Sequence, residues 1–134
     1  MTGRRGFTLI EIVIVMAIIA ISMSLVGPRI GAGFSGLYLN QSAQTVKRML
    51  KLARLQAERT ERHQYVVLNR KTRSVVLVGS DLEVQRQETL PSGIDIVLES
   101  DSDTASVLVT PAGLLRGPSI RLRGRAGEIE VALQ

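Results

Sequence analysis

Phe7-Thr8-Leu9-Ile10-Glu11-Ile12-Val13-Ile14-Val15-Met16-Ala17-Ile18-Ile19-Ala20-Ile21-Ser22-Met23-Ser24-Leu25-Val26 is a run of twenty residues with one charge, Glu11. As a helix it would be about 30 Å long, roughly the hydrocarbon thickness of a bilayer. Arg4 and Arg5 stand just before it. Basic residues flanking an apolar helix stay on the cytoplasmic side, so the N-terminus is expected in the cytoplasm and the rest of the chain across the membrane. A carboxylate within such a helix costs on the order of 2.5–3.5 kcal/mol, so Glu11 reads as functional and requires a partner. A cleaved secretory signal explains the basic start and the apolar run. Against it, the run exceeds the usual apolar core of a signal, Glu11 interrupts its beginning, and Gly27-Pro28-Arg29 is a poor cleavage site of the small-residue type. A plain anchor fits the length and leaves Glu11 without a purpose.

Beyond Val26 the helix is expected to kink at Gly27-Pro28, because proline removes one backbone bond and clashes with the carbonyl four residues back. Gly31, Gly33 and Gly36 weaken the next stretch. Then Leu39, Ala43, Val46, Leu50, Ala53 and Ala57 recur at intervals of three and four, which predicts one buried stripe of an amphipathic helix over about 37–62. Lys47, Arg48, Lys51, Arg54, Arg59 and Arg62 fall on its other faces and read as a solvated surface.

After Glu61 the pattern changes to short β-type runs. His63–Asn69 and Arg73–Gly79 flank Arg70-Lys71-Thr72 and predict a hairpin. Leu82–Thr89 alternates weakly. Gly93–Glu99 places Ile94, Ile96 and Leu98 on one face, and Thr104–Thr110 does the same with Ala105, Val107 and Val109. Ser119–Arg123 and Glu128–Leu133 read as a last pair around Gly124-Arg125-Ala126-Gly127. The expected fold class is α+β: a long N-terminal helix on six or seven short, mostly antiparallel strands, the Leu39–Ala57 stripe covering their apolar face.

The chain has 134 residues, 17 Lys and Arg against 12 Asp and Glu, a net charge of +5, 3% aromatic residues and no cysteine. It has room for one small domain besides the membrane segment. Disulfides and thiolate metal sites are excluded. The basic balance alone would suit nucleic acid, but no aromatic stacking platform accompanies it, so nucleic acid is not expected as a partner. His63, the only histidine, has no cysteine or acid relay beside it. No phosphate-binding loop, dinucleotide fingerprint, metal-ligand spacing or nucleophile elbow is present. Neither an enzyme nor a bound cofactor is expected.

Gly6-Phe7-Thr8-Leu9-Ile10-Glu11, preceded by a basic pair and opening an apolar helix, resembles the class III signal of type IV pilins and pseudopilins. The resemblance implies a leader peptide at 1–6, cut between Gly6 and Phe7 by a membrane prepilin peptidase that also N-methylates Phe7. It further implies a transmembrane and assembly helix at 7–27 and a periplasmic pilin-like domain at 28–134, with a β-region from about 63. Pro28 falls where many members carry a kinking proline. Ser42 to Arg62 leading into Gln64-Tyr65-Val66-Val67-Leu68, with Val109-Thr110-Pro111-Ala112-Gly113-Leu114 and Ser119-Ile120-Arg121-Leu122, is similar to H-type minor pseudopilins of type II secretion. Ala112 replaces the aspartate usual before the glycine of that late turn. Asp101-Ser102-Asp103 is a pair of acids in a turn and reads as solvated rather than as the calcium loop of a major pseudopilin.

The implied role is structural: a subunit near the tip of a short pseudopilus that helps push folded proteins across the outer membrane. Its partners would be the peptidase, the major and other minor pseudopilins and the inner-membrane secretion platform. Once cut, the Phe7 amine would carry a positive charge at the bilayer, and Glu11 of the same or a neighbouring subunit would offset it where attraction is strong. The alternative is a FimT-like minor type IV pilin for pilus assembly or DNA uptake, with Arg116, Arg121, Arg123 and Arg125 as phosphate contacts. Strand alternation puts Arg121, Arg123 and Arg125 on one side.

Overall fold

The structure is a computed structural model that describes residues 6–133; the side chains of residues 25–33 are outside the described set. The chain divides into two compact units, one up to Phe34 and one from Ser35. One helix, α1 (Leu9–Thr60), contributes to both. Glu11 lies in its first turn and Arg59 in its last, each of the sign that the helix dipole favours at that end. Glu61, at φ 53°, turns the chain out of the helix in the left-handed conformation typical of a C-terminal cap.

Within the second unit α1 is followed by eight strands: β1 (Gln64–Asn69), β2 (Ser74–Gly79), β3 (Val84–Thr89), β4 (Asp95–Val97), β5 (Thr104–Val109), β6 (Leu115–Arg116), β7 (Ile120–Gly124) and β8 (Gly127–Val131). They form two antiparallel sheets, β3-β2-β1-β5-β6 and β4-β7-β8. The α+β class is as the sequence indicates, an N-terminal helix on antiparallel sheets.

Every residue of the predicted helical stripe is buried, from Leu39 through Ala43, Val46, Leu50 and Ala53 to Ala57. Its small members let the helix backbone approach the strands closely. Against it lie Val66 and Leu68 of β1, Val75 and Leu77 of β2, Val107 and Val109 of β5, Ile96 of β4, Ile120 and Leu122 of β7, and Val131 of β8. The inward residues are spaced by two, as a pleated strand with one covered face requires. Ser42 is also buried, and its hydroxyl donates to the Tyr38 carbonyl at 2.8 Å, so the helix satisfies it internally.

The strand pairings differ from the simplest reading in two ways. Gly93–Glu99 and Thr104–Thr110 are neighbours in sequence, yet β4 and β5 join different sheets, and β4 pairs instead with β7, Ile96 opposite Leu122. A further short strand, β6, pairs with the end of β5 after the turn at Thr110-Pro111-Ala112-Gly113-Leu114. In that turn Thr110 N donates to Leu114 O at 2.9 Å and Gly113 N to Thr110 O at 2.9 Å. At two residues β6 is too short to show alternation.

Candidate assembly site at the helix start

Gly6, Phe7 and Thr8 precede the helix and are exposed. Thr8 is its N-cap. The Thr8 carbonyl accepts from Glu11 N at 3.1 Å and Ile12 N at 3.3 Å, and the Thr8 hydroxyl accepts from Glu11 N at 3.4 Å. The Gly6–Phe7 bond therefore lies outside the helical hydrogen-bond ladder, with its backbone groups available to a peptidase. Thr8 and Glu11 have the spacing of a capping box, a signal present in the sequence that gives both residues a local use. Glu11 also sits where the helix dipole favours an anion. Among the described residues its carboxylate has no ion-pair partner.

From Leu9 to Met23 the large side chains are exposed all round the helix: Leu9, Ile10, Ile12, Val13, Ile14, Val15, Met16, Ile18, Ile19, Ile21 and Met23. The two serines in the stretch do not break its apolar character. Ser22 donates to the Ile18 carbonyl at 2.8 Å and Ser24 to the Ala20 carbonyl at 3.1 Å, so neither hydroxyl needs water. A helix apolar on all sides must be covered by something outside itself. Among the described residues, no helix is long and apolar enough to cross a membrane. The twenty-residue run of the sequence begins before α1 does, at the non-helical Phe7 and Thr8, and ends in Leu25 and Val26, whose side chains are outside the described set. Arg4 and Arg5 are outside the described residues, and so is the Pro28 ring expected to kink the helix.

Residues 1–27 match the prokaryotic N-terminal methylation motif. No curated protein and no solved structure matches the chain. The methylation motif is of the type IV pilin-like kind, and it implies processing by prepilin peptidase and assembly with other pilins. It fits a membrane-anchored, pilin-like protein. It covers the exposed, unladdered Gly6–Phe7 bond, the Thr8 cap, Glu11 and the uncovered apolar helix together.

The remaining candidate residues lie in the second unit. Arg121 and Arg123 share the outer face of β7, as alternation predicts, but the carboxylate of Glu128 on β8 takes both, at 3.3 Å from Arg121 Nη1 and 3.1 Å from Arg123 Nη2. Arg125 falls in the turn between β7 and β8, and Arg116 lies on β6 in the other sheet. The four arginines do not form one free row. Asp103 is held by Arg70 Nη2 at 2.9 Å and Lys71 Nζ at 2.6 Å, tying the β1–β2 turn to the start of β5. Hydrogen bonds from Lys71 and then Arg70 hold its carboxyl below the usual value of 3.8. With that carboxylate committed to two cations, the Asp101-Ser102-Asp103 turn is a poor cation ligand. His63 is exposed just before β1.

Proposed function

We propose that the chain is a minor pseudopilin of type II secretion, of the H type: a non-enzymatic structural subunit of a periplasmic pseudopilus. The observation that carries the reading is the helix start. One carboxylate, without a partner among the described residues, stands one turn from a bond whose cleavage creates an amine, on a helix whose apolar surface the chain leaves bare. In this reading the helix holds the subunit in the inner membrane, singly spanning, with the N-terminus in the cytoplasm and the β-domain in the periplasm. Cleavage between Gly6 and Phe7 and methylation of Phe7 yield a charged terminus. Glu11 of an adjoining subunit neutralises it, and the pairing draws the subunit from the membrane into a bundle of N-terminal helices. Motion is supplied by the secretion platform, and the pseudopilus pushes folded proteins through the outer-membrane channel.

The H-type assignment draws support from the late β-region. The Thr110–Leu114 turn and the β7 strand after it occupy the stretch in which the sequence resembles that class. The FimT-like alternative draws less, because Glu128 neutralises the two arginines central to it.

The test is Glu11→Ala in the host. Leader removal proceeds as in the parent, the subunit stays in the membrane, and folded exoprotein accumulates in the periplasm. Normal secretion by cells in which this variant replaces the parent refutes the pairing. Loss of pili or of DNA uptake with secretion intact moves the subunit to a pilus.

A further inference from the structure

The turn between β2 and β3, Ser80-Asp81-Leu82-Glu83, is closed tightly. Gly79 N donates to the Glu83 carbonyl at 3.0 Å, Leu82 N to the Gly79 carbonyl at 3.0 Å, and Glu83 N to Asp81 Oδ1 at 3.4 Å. A Cβ on Gly79 would lie 2.5 Å from Asp81 Oδ1 and 2.7 Å from Gln85 Nε2, so a larger residue there would displace these two side-chain ends. The closure holds Leu82 at φ 64°, a left-handed conformation rare for a bulky side chain. Leu82 is 79% exposed and Val84 beside it 62%. Neither Asp81 nor Glu83 has an ion pair among the described residues. The result is an exposed knob, two apolar side chains alternating with two carboxylates. Strain at an exposed leucine in so closed a turn is an outlier that points to a use.

Its complement lies across the same domain. A groove of about 440 Å³ runs between α1 and β6, with Leu50, Leu55 and Leu115 in its lining and Lys47, Lys51 and Arg54 as its charges. Leu55 is half exposed. The three cations have no ion pair among the described residues, and Arg54 Nε is buried with no hydrogen-bond partner there. The knob adjoins β3 and the groove adjoins β6, the two opposite edges of the five-stranded sheet. A knob on one edge and a matching groove on the other cannot meet within one chain.

We propose that the Asp81–Val84 knob of one copy of this chain docks in the Lys47–Arg54 groove of a second copy. Leu82 enters over Leu55 and Leu115, while Asp81 and Glu83 pair with Lys47, Lys51 and Arg54. Such a contact is head-to-tail, so in a pair one copy keeps a free groove and the other a free knob, and repetition gives a ring or an open row. It rests on the reading of the chain as an assembly subunit, and it adds a side-to-side contact between domains to the pairing of helix starts.

The chain has no native cysteine, so single thiols can be placed at will. One tagged population of the full chain in membranes carries Ser80→Cys and the other Ala132→Cys, Ala132 also lining the groove. A short bismaleimide joins the two populations to each other and gives a ladder when both thiols are on one chain. Asp81→Lys with Glu83→Lys lowers the cross-linked yield roughly tenfold or more, because like charges then face each other. Adding Lys47→Glu with Lys51→Glu on the groove-bearing population restores it. Leu82→Gly removes the knob and relieves the strained turn, so cross-linking falls while the melting temperature holds or rises. Yield unchanged by charge reversal, or a thiol at Ser80 that joins only other proteins, overturns the contact. The two proposals fail separately: leader cleavage and Glu11 dependence read the helix start, and the charge swap reads the domains.

Discussion

From Leu9 to Ser24, α1 carries apolar side chains on every side and buries none of them. From Leu39 to Ala57 it buries one stripe against two sheets and leaves cations on the other faces. Backbone and hydrogen-bond ladder are the same in both. What differs is where the covering comes from. The second stretch finds its core within the chain, in strands that alternate to meet it. The first has no such strands among the described residues, so in the proposed reading its cover comes from lipid or from other helices.

The largest expected effect sets the two stretches directly against each other with one substitution. Val46→Asp places a carboxylate at a position with no exposure. It should cost on the order of 3–5 kcal/mol, enough to unfold a marginal domain. Ile14→Asp puts the same charge on the exposed helix face. There the melting temperature of the β-domain should stay within error of the parent, while retention in membranes falls, because a second acid at mid-helix costs about 2.5–3.5 kcal/mol on insertion. Thermal melts of the two variants with membrane fractionation check the pair. Equal loss of domain stability in both would erase the distinction between the stretches.

The stripe was legible because helical burial depends on local spacing: Leu39, Ala43, Val46, Leu50, Ala53 and Ala57 need only the 3.6-residue period to be found. The same holds along β5 and for β4 with the residues flanking it, where Ile94, Ile96, Leu98, Ala105, Val107 and Val109 alternate and are all buried. Partner choice was not legible. β4 pairs with β7 rather than with the next strand along, a decision made by how two sheets share one helix and not by any residue within β4. β3 alternates weakly in sequence for a physical reason, since as an edge strand it has no residue in the core. At the helix start, Glu11 stood out as one charge in an apolar run, and the capping-box spacing from Thr8 was equally readable. The loss of Arg121 and Arg123 to Glu128 needed the β7–β8 register, which fixes Arg123 opposite Glu128.

A smaller effect sharpens the first stretch. If Thr8 is what starts the helix, Thr8→Ala should fray the first turn by about 1 kcal/mol, and Thr8→Ser should restore it. Amide exchange at Ile10, Glu11 and Ile12 reads this directly. The β-domain, which has its own core, should not register either change. Fraying in both variants alike would assign the cap to the Thr8 methyl and backbone rather than to the hydroxyl.

The smallest effect belongs to the second unit and separates packing from charge. Asp103 is ionised more readily in the folded chain than its ordinary 3.8, because Lys71 and Arg70 donate to its carboxylate. A carboxyl with a lowered folded value stabilises the fold fully above its unfolded value, and the contribution disappears as pH falls from there through the folded one. As pH falls below the ordinary 3.8, then, the parent should lose more stability than Asp103→Asn, while the two converge at the acid end. Both cations are well exposed, so salt should screen the difference. The buried stripe and the inward faces of the strands carry no titrating group to lose. A domain whose melting temperature followed Asp103 as strongly as it follows Val46 would be held by its surface charges. The fully buried Leu68, Leu77, Ile96, Ile120 and Leu122 argue that it is held by its core.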